Sequence, residues 1–317
     1  MLTLRHALSS GLMVVGIALA SGCGGGASTE VTVTYRPSHP EKATEAGTSA
    51  SPATGKAADP AEAPIAAGFG TLKGRVVLQG DFSSLPALFE KGAAPKDPSV
   101  CGAEAIPNES IVANNGGLAN VFIYLPKAPK GVDVPAPGAA VEFDQKTCIF
   151  RPHVIVMQTG QDVMVLNDDS VAHNTHTYPK RNSPFNQTVA PNDRAGVKLT
   201  YTRPETQPLQ VGCDIHPWMV AYHLPVDHPW AVVSAADGTF ELANVPSGKH
   251  DFKVWHEKGG ELEKSLAVTI KPDETTEIEI PVSISQLARF QGPALQPIQV
   301  SLAHCNAGRW AHRFGCT

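Results

Sequence analysis

From residue 68 onward the chain carries short apolar segments separated by turns, and the best of them alternate. Leu266, Val268 and Ile270 share one face of one segment; Ile278, Ile280 and Val282 share one face of the next. Alternation marks half-buried β-strands, because successive side chains on a strand point to opposite faces. The same reading gives strands at Leu72–Leu78, Asn120–Leu125, Cys148–Met157, Asp162–Leu166, Val197–Tyr201 and Leu209–Val211. Further strands are expected at Ala231–Val233, Thr239–Leu242, His250–Trp255, Leu266–Ile270 and Glu277–Val282. Asn115-Gly116-Gly117, Asp237-Gly238 and Ser247-Gly248 supply turn chemistry between them. No helix is predicted in this part, beyond a turn near Leu85–Glu90. Many short strands with frequent turns predict an all-β sandwich or barrel.

The pattern also divides the chain. Residues 1–23 read as an export signal, with Arg5 as the positive region, Ala7 to Ala20 as the apolar stretch and small residues after it. Ala20-Ser21-Gly22-Cys23 resembles a bacterial lipobox, which implies lipid on Cys23 and attachment to a membrane surface without a spanning helix. Residues 24–67 are rich in Gly, Ala, Ser, Thr, Pro and Glu and bury too little to offset their ordering entropy, so a disordered tether is expected. Residues 68–228 hold long irregular loops and most of the histidines. Residues 229–284 are a compact run of alternating strands, and the alternation is lost in a tail at 285–317. The expected address is an exported lipoprotein facing the periplasm or the cell exterior.

Composition narrows the class. Charged residues are only 17% of the chain and the formal net charge is −5, so there is no basic footprint for nucleic acid or for anionic lipid. The 28 Gly and 27 Pro interrupt the chain too often for long helices. An exported compartment favours disulfides among the six cysteines. With Cys23 lipidated, five thiols remain and one is left over. Cys101 with Cys148, and Cys305 with Cys316, are plausible pairs, and Cys213 is the remainder.

Cys213 opens the most informative stretch, Cys213-Asp214-Ile215-His216-Pro217-Trp218-Met219. It sets a thiol, an imidazole and a thioether on one tight loop between two expected strands. Val171-Ala172-His173-Asn174-Thr175-His176 adds two imidazoles from a neighbouring loop. Thiolate, two imidazoles and a weak thioether are the ligand set of a blue-copper electron-transfer site, since soft sulfur suits Cu(I) and imidazole suits Cu(II). Zinc on His173, His176 and His216 in a hydrolase is a weaker reading, because the cluster has no His-Glu-x-x-His helix and no obvious general base.

These residues resemble the cupredoxins, the plastocyanin and azurin superfamily, over roughly residues 140–225. The likeness rests on Gly160-Gln161-Asp162-Val163 entering a strand, Asn167-Asp168 leaving it, His173-Asn174, and Cys213-x-x-His216-x-x-Met219. The resemblance implies a Greek-key β-sandwich holding one type 1-like copper. His173, Cys213, His216 and Met219 would be its ligands, with His176 as the alternative to His173. Asn174 would support the cysteine sulfur through its backbone. His-x-x-Met is at the short end of the family's spacing, and one cysteine in the cluster implies one metal ion. Trp218 reads equally as a shield and docking surface beside the metal or as core packing. His153, His223 and His228 read as hydrogen-bonded structural residues.

Asp237-Gly238-Thr239-Phe240, Val245-Pro246-Ser247-Gly248 and Val254-Trp255-His256-Glu257 resemble a carboxypeptidase regulatory-like, transthyretin-type β-sandwich. Such a module implies a structural or binding role with no catalysis. At this length it is expected to lean on the first unit for stability. His256-Glu257 lacks a third ligand in sequence and reads as structural. In the tail, His304, Cys305, His312 and Cys316 fit no zinc spacing, and a disulfide or plain disorder is expected.

The leading expectation is therefore a non-enzymatic, lipid-anchored, mononuclear copper protein that passes electrons to a redox partner protein in the envelope. A copper storage or delivery role lies within the same class. The alternative is a noncatalytic envelope module, for example one that binds carbohydrate, on the same scaffold.

Overall fold

The computed structural model describes residues 68–288. The signal, lipidation and tether expectations at 1–67, including Cys23, and the tail expectations at 289–317 lie outside the described residues. Among the described residues no helix is long and apolar enough to cross a membrane.

The fold is all-β. It opens with β1 (Phe69–Gln79), followed by the one-turn α1 (Pro98–Cys101), β2 (Ala113–Asn114), β3 (Gly117–Leu118) and β4 (Phe122–Tyr124). Next come β5 (Val141–Lys146), β6 (Ile149–Arg151), β7 (Val154–Gln158) and β8 (Asp162–Val165). They lead to β9 (His173–Thr177), β10 (Asn186–Val189), β11 (Val197–Thr200), β12 (Leu209–Gly212) and β13 (Val220–Val226). β14 (Ala231–Val233), β15 (Thr239–Pro246), β16 (Gly248–His256), β17 (Gly260–Ile270), β18 (Thr275–Ser283) and the short α2 (Ile284–Ala288) complete it.

Two sheets enclose the first core and form a β-sandwich. One runs β10-β9-β12-β13-β7 and the other β11-β8-β5-β6. Phe143, Phe150, Val163, Val165, Val211 and Ala221 from both sheets bury themselves between the two. The expected strand at Cys148–Met157 is instead two, β6 and β7, which join different sheets. Pro152 sits in the break, where a residue without an N–H cannot continue the ladder. At Leu85–Glu90 there is no helical turn, and Phe89 bridges to Ile106 in an antiparallel pair.

The second sandwich does not begin at residue 229. β1 lies along the later strands, antiparallel to β15 and parallel to β18. β4 pairs with both β14 and β16. Leu72, Val76, Leu118 and Ile123 therefore share one core with Phe240, Phe252, Val268 and Ile280. The turn at Asp237-Gly238 explains the fit: Gly238 has φ +82° and a Cβ there would sit 2.4 Å from the Val76 carbonyl oxygen. Strands widely separated in sequence can share a sheet, and alternation alone says nothing about which ones do. A third cluster, with Phe122, Tyr124 and Trp255 on one side and Val154, Leu224 and Val226 on the other, joins the two sandwiches.

Candidate metal centre

The 213–219 loop connects β12 to β13, the paired central strands of the first sandwich. Its ends are tied by Cys213 N–H to the Met219 carbonyl at 3.3 Å and Met219 N–H to the His216 carbonyl at 2.9 Å. Beside it runs β9, which pairs with β12 and starts at His173. His173 is thus the first residue of a strand, where a neighbouring loop was expected.

Asn174 locks strand to loop. Its side-chain carbonyl accepts N–H bonds from Asp214 at 2.8 Å and Ile215 at 3.3 Å. Its backbone N–H points at the Cys213 sulfur at 3.5 Å, and the His216 N–H does the same at 3.4 Å. Two backbone donors aimed at one buried sulfur stabilise a thiolate, and the support assigned to Asn174 has this form.

His173 and His216 present their Nδ1 atoms to each other at 2.9 Å, and the Cys213 sulfur lies 4.0 Å from His216 Nδ1. All three side chains are buried, and their ligand atoms lie within 4.8 Å of one another. Cys213 carries a free thiol, whereas Cys101 and Cys148 form a disulfide. The other nitrogen of each ring is held by a carboxylate: His173 Nε2 by Asp169 at 2.9 Å and His216 Nε2 by Asp97 at 2.8 Å. With a proton on each Nε2, both Nδ1 lone pairs face one point. Two lone pairs cannot approach in that way unless a proton or a cation lies between them. Together with the thiol, this donor set fits a soft or borderline metal ion, and carboxylates behind the imidazoles are the usual support for such ligands.

The electrostatics agree. In the metal-free chain a proton held between the two imidazoles can serve as the donor: burial raises the Cys213 thiol, but hydrogen bonding with His173 and His216 and from the two backbone N–H groups outweighs it and brings the pKa from 9.0 to about 6. Burial also raises Asp169, yet its bonds to His173 and to the Cys148 and Thr147 N–H groups hold it below the usual carboxylate value. Burial lowers His173, and the bonds to Asp169 and Cys213 more than offset that.

Met219 is buried in the same core as Cys213. His176 is not part of the buried group. Its Nδ1 is taken by Asp214 at 3.1 Å and by the Tyr178 hydroxyl at 3.1 Å. A set of His173, His176 and His216 is accordingly not assembled. His223 and His228 are hydrogen-bonded, as expected, to the Tyr201 hydroxyl and the Leu125 carbonyl respectively. Trp218 packs edge-on against His216 at 5.1 Å and Phe89 at 5.3 Å, and its Nε1–H donates to the Cys148 carbonyl.

Two functional residues escaped the sequence reading. Asp169 precedes His173 by four positions, a local signal that could have been used. Asp97 lies far upstream at the start of α1 and has none. The Cys101–Cys148 disulfide fastens that segment, so Asp97 and Phe89 cover His216 from a stretch outside the sandwich.

No protein-family model matches the chain, and no curated relative does. Solved structures share local likeness. Amicyanin from Paracoccus versutus aligns at 18% identity over 32% of this chain and 96% of its own, with a TM-score of 0.24. A purple cupredoxin from Nitrosopumilus maritimus aligns at 18% identity over 27% of this chain and 98% of its own, with a TM-score of 0.23. A Cu-containing nitrite reductase from Thermus scotoductus SA-01 aligns at 19% identity with a TM-score of 0.25, over 31% of this chain and only 25% of its own. At such scores these likenesses bear on neither activity nor partner.

Proposed function

We propose that the chain is a mononuclear copper protein that passes single electrons and catalyses no reaction of its own. The reading is carried by the two buried Nδ1 atoms that face each other at 2.9 Å beside the Cys213 sulfur. His173, His216 and Cys213 would hold the ion, with the Met219 thioether as a weak fourth donor. Copper would supply a one-electron couple between Cu(I) and Cu(II). The protein's part is to hold the donors still. Asp169 and Asp97 fix the two imidazoles, Asn174 fixes the loop against β9, and Phe89 and Trp218 help to exclude water. A donor set that is already assembled reorganises little when the charge on the ion changes, which keeps the barrier to electron transfer low. The apolar stretch after Arg5 and the lipobox-like residues ending at Cys23 support export and a lipid anchor in the cell envelope, where the chain would meet its redox partner protein.

The direct test is copper stoichiometry with thermal unfolding. Full-length chain should bind one copper ion and unfold at a higher temperature with it, because a ligand that binds only the folded state adds to stability. Cys213→Ser should lose most of that gain. A wild type that takes up no copper would refute the reading.

A further inference from the structure

Residues 88–106 form a small cap that contributes no strand to either sheet of the first sandwich. The cap closes on itself through Leu88 N–H to the Ile106 carbonyl, Ile106 N–H to the Phe89 carbonyl and Gly92 N–H to the Gly102 carbonyl, each at 2.8 Å. It lies over the donor set. Ala94 and Ile106 are buried in the core that holds Cys213 and Met219, Phe89 packs against that core, and Asp97 bonds His216 Nε2.

One covalent bond fastens the cap, Cys101–Cys148, and each end of it leads to one of the two imidazoles. On the cap side, Cys101 N–H donates to the Asp97 carbonyl at 2.8 Å, so the bridge sits one turn from the carboxylate that holds His216. On the sandwich side, the Thr147 and Cys148 N–H groups hold Asp169, which holds His173. The Cys148 carbonyl also accepts from Trp218, which packs against His216. Thr147 and Cys148 are both left-handed, with φ +53° and +54°. Two successive non-glycine residues keep that conformation only where their surroundings impose it. Here the Asp169 carboxylate and the sulfur bridge impose it. Breaking the bridge would free the cap and let this turn relax away from Asp169, so one bond stands behind both imidazoles and their cover.

We propose that Cys101–Cys148 is a thiol-redox latch on the metal centre. Its purpose rests on the copper reading, as regulation of that same site, whereas its opening is a property of the metal-free chain. The step is thiol–disulfide exchange. A dithiol attacks the bridge, its two sulfurs become a disulfide, and Cys101 and Cys148 together gain two electrons and two protons. Both cysteines are buried, so exchange starts from brief openings of the cap. With the latch closed, Cys213 is covered and both imidazoles are fixed. With it open, the thiol is accessible and the imidazoles lose their support.

The test compares metal-free full-length chain as oxidised, after dithiothreitol treatment and removal of the reductant, and after reoxidation, with Cys101→Ser/Cys148→Ser as the permanently open form. Alkylation of Cys213, read by mass on its own peptide, should be about tenfold or more faster with the latch open, within what a cross-link contributes to holding a loop closed. It should be slow again on reoxidation. Amide exchange should quicken over residues 88–106 while β16, β17 and β18 stay protected. Equal Cys213 alkylation in the two states, quickening throughout the fold, a change that reoxidation does not reverse, or a bridge that dithiothreitol leaves intact would each overturn the proposal. The reduced wild type decides even if the double variant misfolds. Copper affinity of the open form should fall about 10–100-fold, the usual loss when groups behind metal ligands are removed. Opening that leaves this affinity unchanged would overturn control of the site. A wild type that binds no copper would refute the copper reading, and the alkylation rates would still decide whether the latch exists.

Discussion

The two carboxylates behind the imidazoles should differ in weight. Asp169 is buried and accepts three bonds, from His173 Nε2 at 2.9 Å, the Cys148 N–H at 2.8 Å and the Thr147 N–H at 2.7 Å. Asp97 accepts from His216 Nε2 with a side chain that is 38% exposed, so water can replace it. Asp169→Asn is expected to weaken copper binding about 10–100-fold, the usual loss for an orienting group behind a metal ligand. Asp97→Asn should lose clearly less. Competition against a chelator of known affinity measures both, and the reverse order would contradict this geometry. The thiol gives a second prediction. Its pKa falls from 9.0 in the unfolded chain to about 6 in the fold, so the unfolded state binds more protons in between. Metal-free stability should therefore rise with pH across that window, and this contribution should be lost as pH falls through about 6. Thiolate absorbance should titrate near the same value and move upward in His216→Ala, which lacks one of the donors. A midpoint that stays put would assign the shift to the backbone donors alone.

At the scale of elements, β1 makes the sharpest prediction. It pairs with β15 on one edge and β18 on the other, and Leu72 and Val76 are fully buried among the later strands. A fragment of residues 229–284 alone should be unfolded by circular dichroism, and one that also carries residues 68–125 should not. An independently folded short fragment would contradict the topology. Here the limits of reading the chain are plain. β17 and β18 were legible because their apolar residues alternate against one core. β9, His173-Asn174-Thr175-His176-Thr177, was not, because four of its five side chains are buried yet none is apolar. β10, with only Val189 apolar, failed for the same reason. The partnership of β1 with β18 was invisible because strand pairing depends on surfaces that meet only after folding. At the metal centre, cysteine, histidine and methionine announced themselves by rarity and chemistry, whereas Asp97 is one of many acidic residues.

At the scale of the molecule, the two sandwiches should unfold together. Phe122, Tyr124 and Trp255 pack against Val154, Leu224 and Val226 in one cluster, and His153 reaches across to Glu257 beside it. Denaturant unfolding followed by fluorescence and by circular dichroism should give one coincident transition. Trp255→Ala should destabilise by about 3–5 kcal/mol, the range for emptying a buried aromatic site. Separate transitions would mean that the cluster does not couple the halves. The central claim, that one ion sits between His173, His216 and the Cys213 sulfur, has its most direct test in the visible spectrum of the full chain loaded with Cu(II). An intense thiolate-to-copper band that vanishes in Cys213→Ser is the predicted result; a colourless wild type, or a band that survives that substitution, would contradict it.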